Sequence, residues 1–394
     1  MKRILFVDDD SNILDGVRRM LRGLRGQWEM QFTTSGSAAL QACEARPFDI
    51  VISDMRMPEM DGATLLAFIR DRYPATVRCI LSGYSEFGLT ARAIPVAHRI
   101  LSKPFKGSEL QTTIERILAL EDVLHSPELR QIMGSIGELP SLSKTYLDLT
   151  QAAQDPNTSL ARVAAIVERD VAMSAKILQL VNSGFFGLAQ HISNIEGAVS
   201  FLGMDTIKNL ALASETFRMF PAASRVSQSV FGEMQLHSHR AATIAAHLPP
   251  CAKDRDATFA AALLHDIGKL VLASKLPNEL CAALGSARET GCEPFEAEEA
   301  ILGVSHAEIG AYLLGLWGID ALVVEAVAHH HRPTRIRHFG FDCSAAVYLS
   351  DLLAHEMEDR LLGHATRELS EVHTRCLIEL NAMDLYLHFQ GRNA

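Results

Sequence analysis

Two short stretches, Ile4-Leu-Phe-Val7 and Ile50-Val-Ile52, are wholly apolar, and each leads into carboxylates: Asp8-Asp-Asp10 after the first, Asp54 after the second. Unbroken apolar runs of this length mark strands buried on both faces, as in a parallel sheet covered by helices. Such strands present the residues that follow them at the carboxyl edge of the sheet. Two further runs, in Cys79-Ile-Leu-Ser-Gly83 and Ile100-Leu-Ser-Lys-Pro-Phe105, place Ser82 and Lys103 at the ends of neighbouring strands. The period then changes. Leu110, Ile114, Ile117, Leu118 and Leu124 recur at helical intervals from Ser108-Glu-Leu-Gln111, which has capping-box spacing. A helix is expected from 108 to about 124, with Ser126-Pro127 as its stop.

Beyond this point strand signals disappear. Residues 140 to 220 alternate helical patterns with turn signals at Asp155-Pro-Asn157, Asn182-Ser-Gly184 and Leu202-Gly-Met204. The stripes Leu160, Val163, Ala164, Val167 and Ile177, Leu178, Val181 read as the core faces of short helices. Residues 336 to 394 are helical by the same criterion, as in Ala345, Ala346, Leu349, Leu352 and Leu353. The expected fold class is a doubly wound α/β domain followed by an all-α region.

A chain of 394 residues suits two or three domains, each able to bury its own core. With 48% hydrophobic and 21% charged residues, and no apolar run near the ~18 residues of a membrane span, no membrane partner is expected. Met-Lys-Arg before four apolar residues is too short a pattern for an export signal, so the reading is cytoplasmic. Seven cysteines without a Cys-x-x-Cys pair point to reduced thiols rather than disulfides or thiolate zinc. A formal charge of -10 and the lack of a basic cluster argue against direct nucleic-acid binding.

Carboxylates gathered at one sheet edge form a hard-cation site, so Mg²⁺ can sit among Asp8, Asp9 and Asp54 and bridge a phosphoryl oxygen. Asp54 would then be the acceptor, with Lys103 and Ser82 supplying charge compensation and a small hydroxyl. The ordered set resembles the receiver domain of bacterial two-component response regulators, over residues 1 to about 120. That resemblance implies a flavodoxin-like five-stranded parallel sheet and a sensor histidine kinase as partner. It also implies Asp8 and Asp9 as Mg²⁺-binding acids, Asp54 as phosphoacceptor, Ser82 as switch hydroxyl and Lys103 as the phosphate-pairing lysine. Ile100 stands where many receivers carry a switching Tyr or Phe, which argues against readout by an aromatic flip.

Histidine usage shifts along the chain, with 14 of 16 histidines after residue 190. At the centre is Ala261-Ala-Leu-Leu-His265-Asp266-Ile-Gly268-Lys269, with His237-Ser-His239 upstream and His306, His329-His330-His331 and Asp351 downstream. Imidazoles and carboxylates on facing helices can enclose one or two transition-metal ions, and a metal-bound water is a hydroxide nucleophile near neutral pH. Lys269, four residues after His265, could hold a phosphate. The order resembles the HD superfamily of metal-dependent phosphohydrolases. Carried over, it implies His237, His265, Asp266 and Asp351 for a first metal, and His306 with one or two of His329, His330 and His331 for a second, the ion being Fe, Mn or another divalent metal.

More specifically, Ile136-Gly-Glu-Leu-Pro140, Glu168-Arg-Asp-Val-Ala172, Val181-Asn-Ser183, Ala198-Val-Ser-Phe-Leu-Gly203 and Leu263-Leu-His-Asp-Ile-Gly-Lys-Leu270 resemble the HDOD domain, a helical output module of bacterial signalling proteins. No Gly-Tyr-Pro follows His329 to Pro333, unlike the HD-GYP phosphodiesterases. The expected organisation is a receiver at 1–122, a linker at 123–134, an HDOD output domain at 135–335 and a helical extension at 336–394 packing on it. Two output classes follow. The resemblance favours a regulatory protein-interaction module with an unidentified downstream signalling protein; the alternative is a metal-dependent phosphohydrolase acting on a nucleotide or cyclic dinucleotide. Homodimerisation is left open.

Overall fold

The computed structural model describes the chain apart from residues 84–92, 94–95, 121–125, 135, 137–139, 142–147, 150–151, 153–157, 183–190, 213–217, 220–227, 249–253, 339, 364–368 and 393–394. The turn expected at Asp155-Pro-Asn157 and most of that at Asn182-Ser-Gly184 lie outside the described residues. Two compact units make up the fold. One comprises Met1–Glu138, Gln179–His191 and Gly315–Gly318; the other comprises Leu139–Leu178, Ile192–Leu314 and Ile319–Ala394.

In the first unit, strands β1 (Lys2–Val7), β2 (Trp28–Thr33), β3 (Ile50–Asp54), β4 (Val77–Gly83) and β5 (Arg99–Lys103) form one parallel sheet in the order β2-β1-β3-β4-β5. Helices α1 (Ser11–Met20), α2 (Gly36–Ala45), α3 (Gly62–Arg72) and α4 (Gly107–Leu120) accompany it. The apolar runs are buried: Ile4, Leu5, Ile50 and Val51 have no exposed surface. Each such side chain contributes about 1.5–3 kcal/mol of burial free energy. Small polar residues start the helices, with Asp10, Ser35 and Asp61 accepting hydrogen bonds from the backbone N–H groups of Asn12, Ala38 and Thr64.

Two local expectations are corrected. Helix α4 starts at Gly107, and it is Glu109 that reaches back to the Lys106 N–H at 3.2 Å, so the reciprocal carboxylate sits two residues earlier than the Ser108-to-Gln111 spacing suggests. Ser126-Pro127 opens a further helix, α5 (Pro127–Gly134): the Ser126 hydroxyl accepts from the Leu129 N–H, and Pro127 takes the first helical position, where a missing N–H costs nothing. The expected end of α4 near 124 lies outside the described residues. Arg78 on β4 is 1% exposed. Its guanidinium donates to the carbonyls of Val96 (2.6 Å), Thr76 (3.1 Å) and Gly134 (2.6 Å) and lies 3.0 Å from His98 Nε2. Burial pulls its pKa down to about 9.

In the second unit, a two-residue parallel pair, β6 (Pro140–Ser141) with β7 (Arg218–Met219), departs from the expectation of no strands. The other elements among the described residues are helical: α6 (Leu160–Val167), α7 (Val171–Val181), α8 (Ile195–Leu212), α9 (Gln228–His247), α10 (Arg255–Leu264), α11 (Ile267–Lys275), α12 (Pro277–Thr290), α13 (Pro294–Leu302), α14 (His306–Leu316), α15 (Ala321–His329), α16 (Cys343–Leu361), α17 (Glu371–Glu379) and α18 (Met383–Arg392), the last residues of α7 and α14 being counted in the first unit. The turn expected at Leu202-Gly-Met204 is a kink within α8, where Gly203 adopts φ 76°. The stretch Arg255–Lys275 has the length and apolarity of a membrane span, but 83% of its apolar window is buried in the unit. Residues of α16, α17 and α18, among them Leu349, Leu353, Leu377 and Tyr386, share one apolar cluster with Leu248 and with Leu380, which follows α17.

Candidate functional site

At the carboxyl edge of the parallel sheet, β1, β3 and β5 deliver Asp8, Asp54 and Lys103 to one point. The Lys103 ammonium donates to Asp8 Oδ2 at 2.7 Å and also to Asp54 Oδ1. Asp54 Oδ2 accepts the Arg56 N–H at 2.7 Å, and Asp8 Oδ1 accepts that of Asp10 at 3.0 Å. Asp8 and Asp54 are buried, Asp9 is exposed beside them, and Ser82 is buried on β4. Burial raises the pKa of Asp54, with Lys103 opposing. For Lys103, burial works against the charge, but the two carboxylates outweigh it and raise its pKa. Gly62 keeps this corner tight, since a Cβ there would lie 2.2 Å from the Asp54 carbonyl oxygen. Two buried carboxylates against one lysine leave a negative balance that suits a hard cation, with Asp9 on the water side.

The second unit holds a larger polar cluster. His237 comes from α9, His265 and Asp266 from the turn joining α10 to α11, His306 from the start of α14, His330 and His331 from the end of α15, and Asp351 from α16. Glycines bring these elements close: a Cβ on Gly268 would lie 1.9 Å from the His306 carbonyl oxygen and 2.9 Å from the Gly310 nitrogen. Asp266 Oδ1 therefore reaches His306 Nε2 at 3.2 Å and His330 Nε2 at 3.8 Å. Asp351 Oδ1 lies 2.9 Å from His237 Nε2 and 3.5 Å from His265 Nε2. Tetrahedral donors bound to one ion through 2.0–2.2 Å bonds stand about 3.3–3.6 Å apart, so the 3.2 and 3.5 Å separations match a shared cation, and the 2.9 and 3.8 Å ones lie within a few tenths of an ångström of that range.

Each of four imidazoles is anchored through Nδ1 and turns Nε2 inward. His265 Nδ1 meets the Ala262 carbonyl at 2.7 Å, and His330 Nδ1 meets that of Val327 at 2.8 Å. His306 Nδ1 meets Glu298 at 2.6 Å, and His237 Nδ1 lies 3.2 Å from both oxygens of Glu358. Outer acceptors of this kind fix the tautomer that leaves Nε2 free for a metal. Inside the cluster, His265 Nε2 and His330 Nε2 are buried without a hydrogen-bond partner. Buried polar atoms left this way cost free energy unless something else satisfies them, and a divalent metal matches the donor set.

Charge is balanced unevenly. Burial opposes the protonated form of His237, but Asp351 and Glu358 outweigh it and hold the pKa at about 10. His306 is likewise raised against its burial by Glu298 and Asp266. Burial and neighbouring imidazoles push His330 down to about 3. Lys269 Nζ donates to Asp266 Oδ2 at 2.7 Å.

The structure gathers His237, His265, Asp266, His306, His330 and Asp351. It corrects the histidine triplet: His330 and His331 enter the cluster, His331 Nε2 lying 2.9 Å from His306 Nε2, while His329 is in none of the potential ligand groups. Successive helical residues diverge by about 100°, so three in a row cannot face one point. Sequence reasoning missed Glu298, His355 and Glu358. The last two lie four and seven residues after Asp351, a one-face helical spacing that was there to be read.

A profile of the response regulator receiver domain matches residues 4–115, and one of the HDOD domain matches residues 139–333. Asp351 lies beyond the second match. Curated relatives include an uncharacterised protein of Treponema pallidum, 26% identical over 57% of this chain and 44% of its own length. The transcriptional regulatory protein ZraR of Escherichia coli O157:H7 is 29% identical over 45% of this chain and 43% of its own. The chain thus spans less than half the length of these relatives. Among solved structures, the signal receiver domain of an HD domain-containing protein from Pseudomonas fluorescens Pf-5 is 36% identical, covering 31% of this chain and 97% of that one, with a TM-score of 0.29. The MmoQ response regulator of Methylococcus capsulatus is 19% identical over 61% of this chain and 98% of that one, with a TM-score of 0.45.

Proposed function

We propose, for a chain that joins a response regulator receiver domain to an HDOD domain, a phosphorelay role in which Asp54 takes a phosphoryl group from a sensor histidine kinase. The HDOD output domain then acts as a regulatory module that binds a downstream signalling protein in the cytoplasm. The observation that carries this reading is Lys103 held between Asp8 and Asp54 at the sheet edge. A phosphoryl group brings a charge near -2 at pH 7, and Lys103 is already placed to pair with it. Mg²⁺ would be held by Asp8, Asp9 and Asp54 and would neutralise developing charge. Ser82 supplies the hydroxyl that answers the modification. The domains are assigned as receiver 1–122, linker 123–134, output 135–335 and extension 336–394, the last of these supplying Asp351 to the cluster.

The test is labelling by a small acyl phosphate with Mg²⁺: label is expected on wild-type protein and lost in Asp54→Asn. Label that survives this substitution, or that needs no divalent metal, would remove Asp54 from the role.

A second reading, a metal-dependent phosphohydrolase acting on a nucleotide, is favoured by the inward-facing Nε2 atoms around Asp266 and Asp351. His237, His265, Asp266 and Asp351, with His306, His330 and His331, would hold Fe, Mn or another divalent ion, which supplies Lewis acidity and an activated water when bound. Lys269 keeps Asp266 ionised and oriented. Turnover of a nucleotide panel by metal-loaded protein separates the two readings.

A further inference from the structure

We propose an outer metal site beside the buried cluster, made by Nδ1 of His237, a ring nitrogen of His355 and a carboxylate oxygen of Glu358. The donor atoms of these three residues lie within 4.8 Å of one another and come from two helices, α9 and α16. His237 Nδ1 is 3.2 Å from each Glu358 oxygen, and His355 Nδ1 is 3.8 Å from Glu358 Oε2. The rings of His237 and His355 stack at 4.2 Å with 30° between their planes.

A hydrogen bond from His237 to Glu358 would by itself account for those two residues. It does not account for His355, whose ring is held over His237 with its two nitrogens turned to separate carboxylates, Asp351 at 3.4 Å and Glu358 at 3.8 Å. Side-chain exposure rises from 7% at His237 through 22% at Glu358 to 55% at His355, so the three donors form the wall of a site open to water. Three protein donors with the remaining positions open are the arrangement of an exchangeable or reactive centre rather than a closed structural one. Two imidazoles and one carboxylate select a divalent transition ion over Mg²⁺ or Ca²⁺, which take oxygen ligands. Arg240 pairs with Glu358 Oε1 at 2.9 Å, leaving Oε2 for the ion and making this the weaker of the two sites. When both sites are filled, His237 bridges them as an imidazolate: it uses Nε2 inward and Nδ1 outward, and its last ring proton passes to solvent.

The inference rests on the buried-cluster reading only through the shared His237. The test uses full-length protein stripped of metal and titrated with Co²⁺, read by visible absorption and by metal content at equilibrium dialysis, with helicity followed in parallel. Wild-type protein is expected to bind one more equivalent, in the weaker class, than His355→Ala or Glu358→Gln, and Glu358→Asp should restore part of it. Asp266→Asn combined with His330→Ala should lose the tight class and keep the weak one. If the buried reading fails, that double variant changes nothing while His355→Ala still loses its equivalent. Equal number and affinity in wild type, His355→Ala and Glu358→Gln would overturn the outer site. Loss of every equivalent in both single variants would also overturn it, by merging all the residues into one centre.

Discussion

Replacing Gly268 by alanine tests whether helix packing sets the metal cluster. The added Cβ would lie 1.9 Å from the His306 carbonyl oxygen, whereas ordinary carbon–oxygen contacts are about 3.3 Å. The deficit of about 1.4 Å falls on backbone at both ends, so no side chain can swing away to absorb it. Helices α11 and α14 must part, and a shift of that size along the Asp266–His306 line would take their 3.2 Å separation to roughly 4.6 Å. That exceeds by about 1 Å the roughly 3.6 Å upper spacing of tetrahedral donors on one ion. Overpacking costs up to about 3 kcal/mol, and alanine returns about 1 kcal/mol of helix propensity, leaving about 2 kcal/mol of net destabilisation. In a domain of this size that lowers Tm by roughly 4–8 °C. Thermal melts of metal-free protein and metal titration of the folded variant read the two effects separately. Gly285→Ala is the control, because nothing lies within 4 Å of its added Cβ; it should melt at or slightly above wild type. A Gly268→Ala protein that melts like wild type and binds metal with unchanged affinity would refute the packing argument.

Glu298→Gln keeps the size of a side chain that is 1% exposed but weakens its hold on His306, so metal affinity should fall about 10–100-fold with helicity intact; unchanged affinity in a metal titration would make Glu298 a packing residue only. Arg78→Leu strips donors from the carbonyls of Val96, Thr76 and Gly134 and should cost about 2–4 kcal/mol, with faster hydrogen exchange across 127–134; unaltered exchange there would show that α5 does not depend on it. Metal affinity should rise with pH between 6.5 and about 10, because His237, held above its ordinary value, keeps a proton that competes with metal until that range is crossed. The same raised value means that metal-free protein loses stability as pH rises through this window, having held it fully below 6.5. Flat profiles in both measurements would contradict the assignment.

The parallel sheet was legible because Ile4 to Val7 and Ile50 to Ile52 are buried on both faces, and such strands are written as unbroken apolar runs. Asp54 and Lys103 were legible because the carboxyl edge follows directly from those runs. Arg78 was not, since a lone arginine reads as surface and its burial depends on carbonyls from three separate segments. Ser126-Pro127 fits the end of one helix and the start of the next equally well, and only tertiary structure decides between them. For the clustered histidines, residue types were readable but selection within His329-His330-His331 was not, because it turns on where α15 ends. Glu298 stayed hidden for a related reason: its meaning lies in two hydrogen bonds across eight residues, from the His306 backbone N–H and Nδ1, and a glutamate at that distance carries no sequence signal of its own.

Charge balance links the cluster to a resident cation. Asp266, Asp351 and Glu298 are buried carboxylates, and Lys269 is the ammonium beside them, a balance of two negative charges when every imidazole is neutral. Burying uncompensated charge costs several kcal/mol per ion. In the metal-free protein two protons make up the difference, on His237 and His306, the cluster histidines whose pKa values are raised. One divalent ion replaces both protons without altering the total. Binding one ion to the buried cluster should therefore release up to two protons, measurable by calorimetry in buffers of different ionisation enthalpy; release of none would mean that the carboxylates are neutralised another way. The argument requires a cation, not turnover. Because the inner donors other than the half-buried His331 are 0–7% exposed, chemistry on a substrate would rely on the open positions beside His355, and a regulatory module would need none. His355→Ala thus separates the readings: it should abolish any hydrolytic activity while leaving a purely interactive output intact.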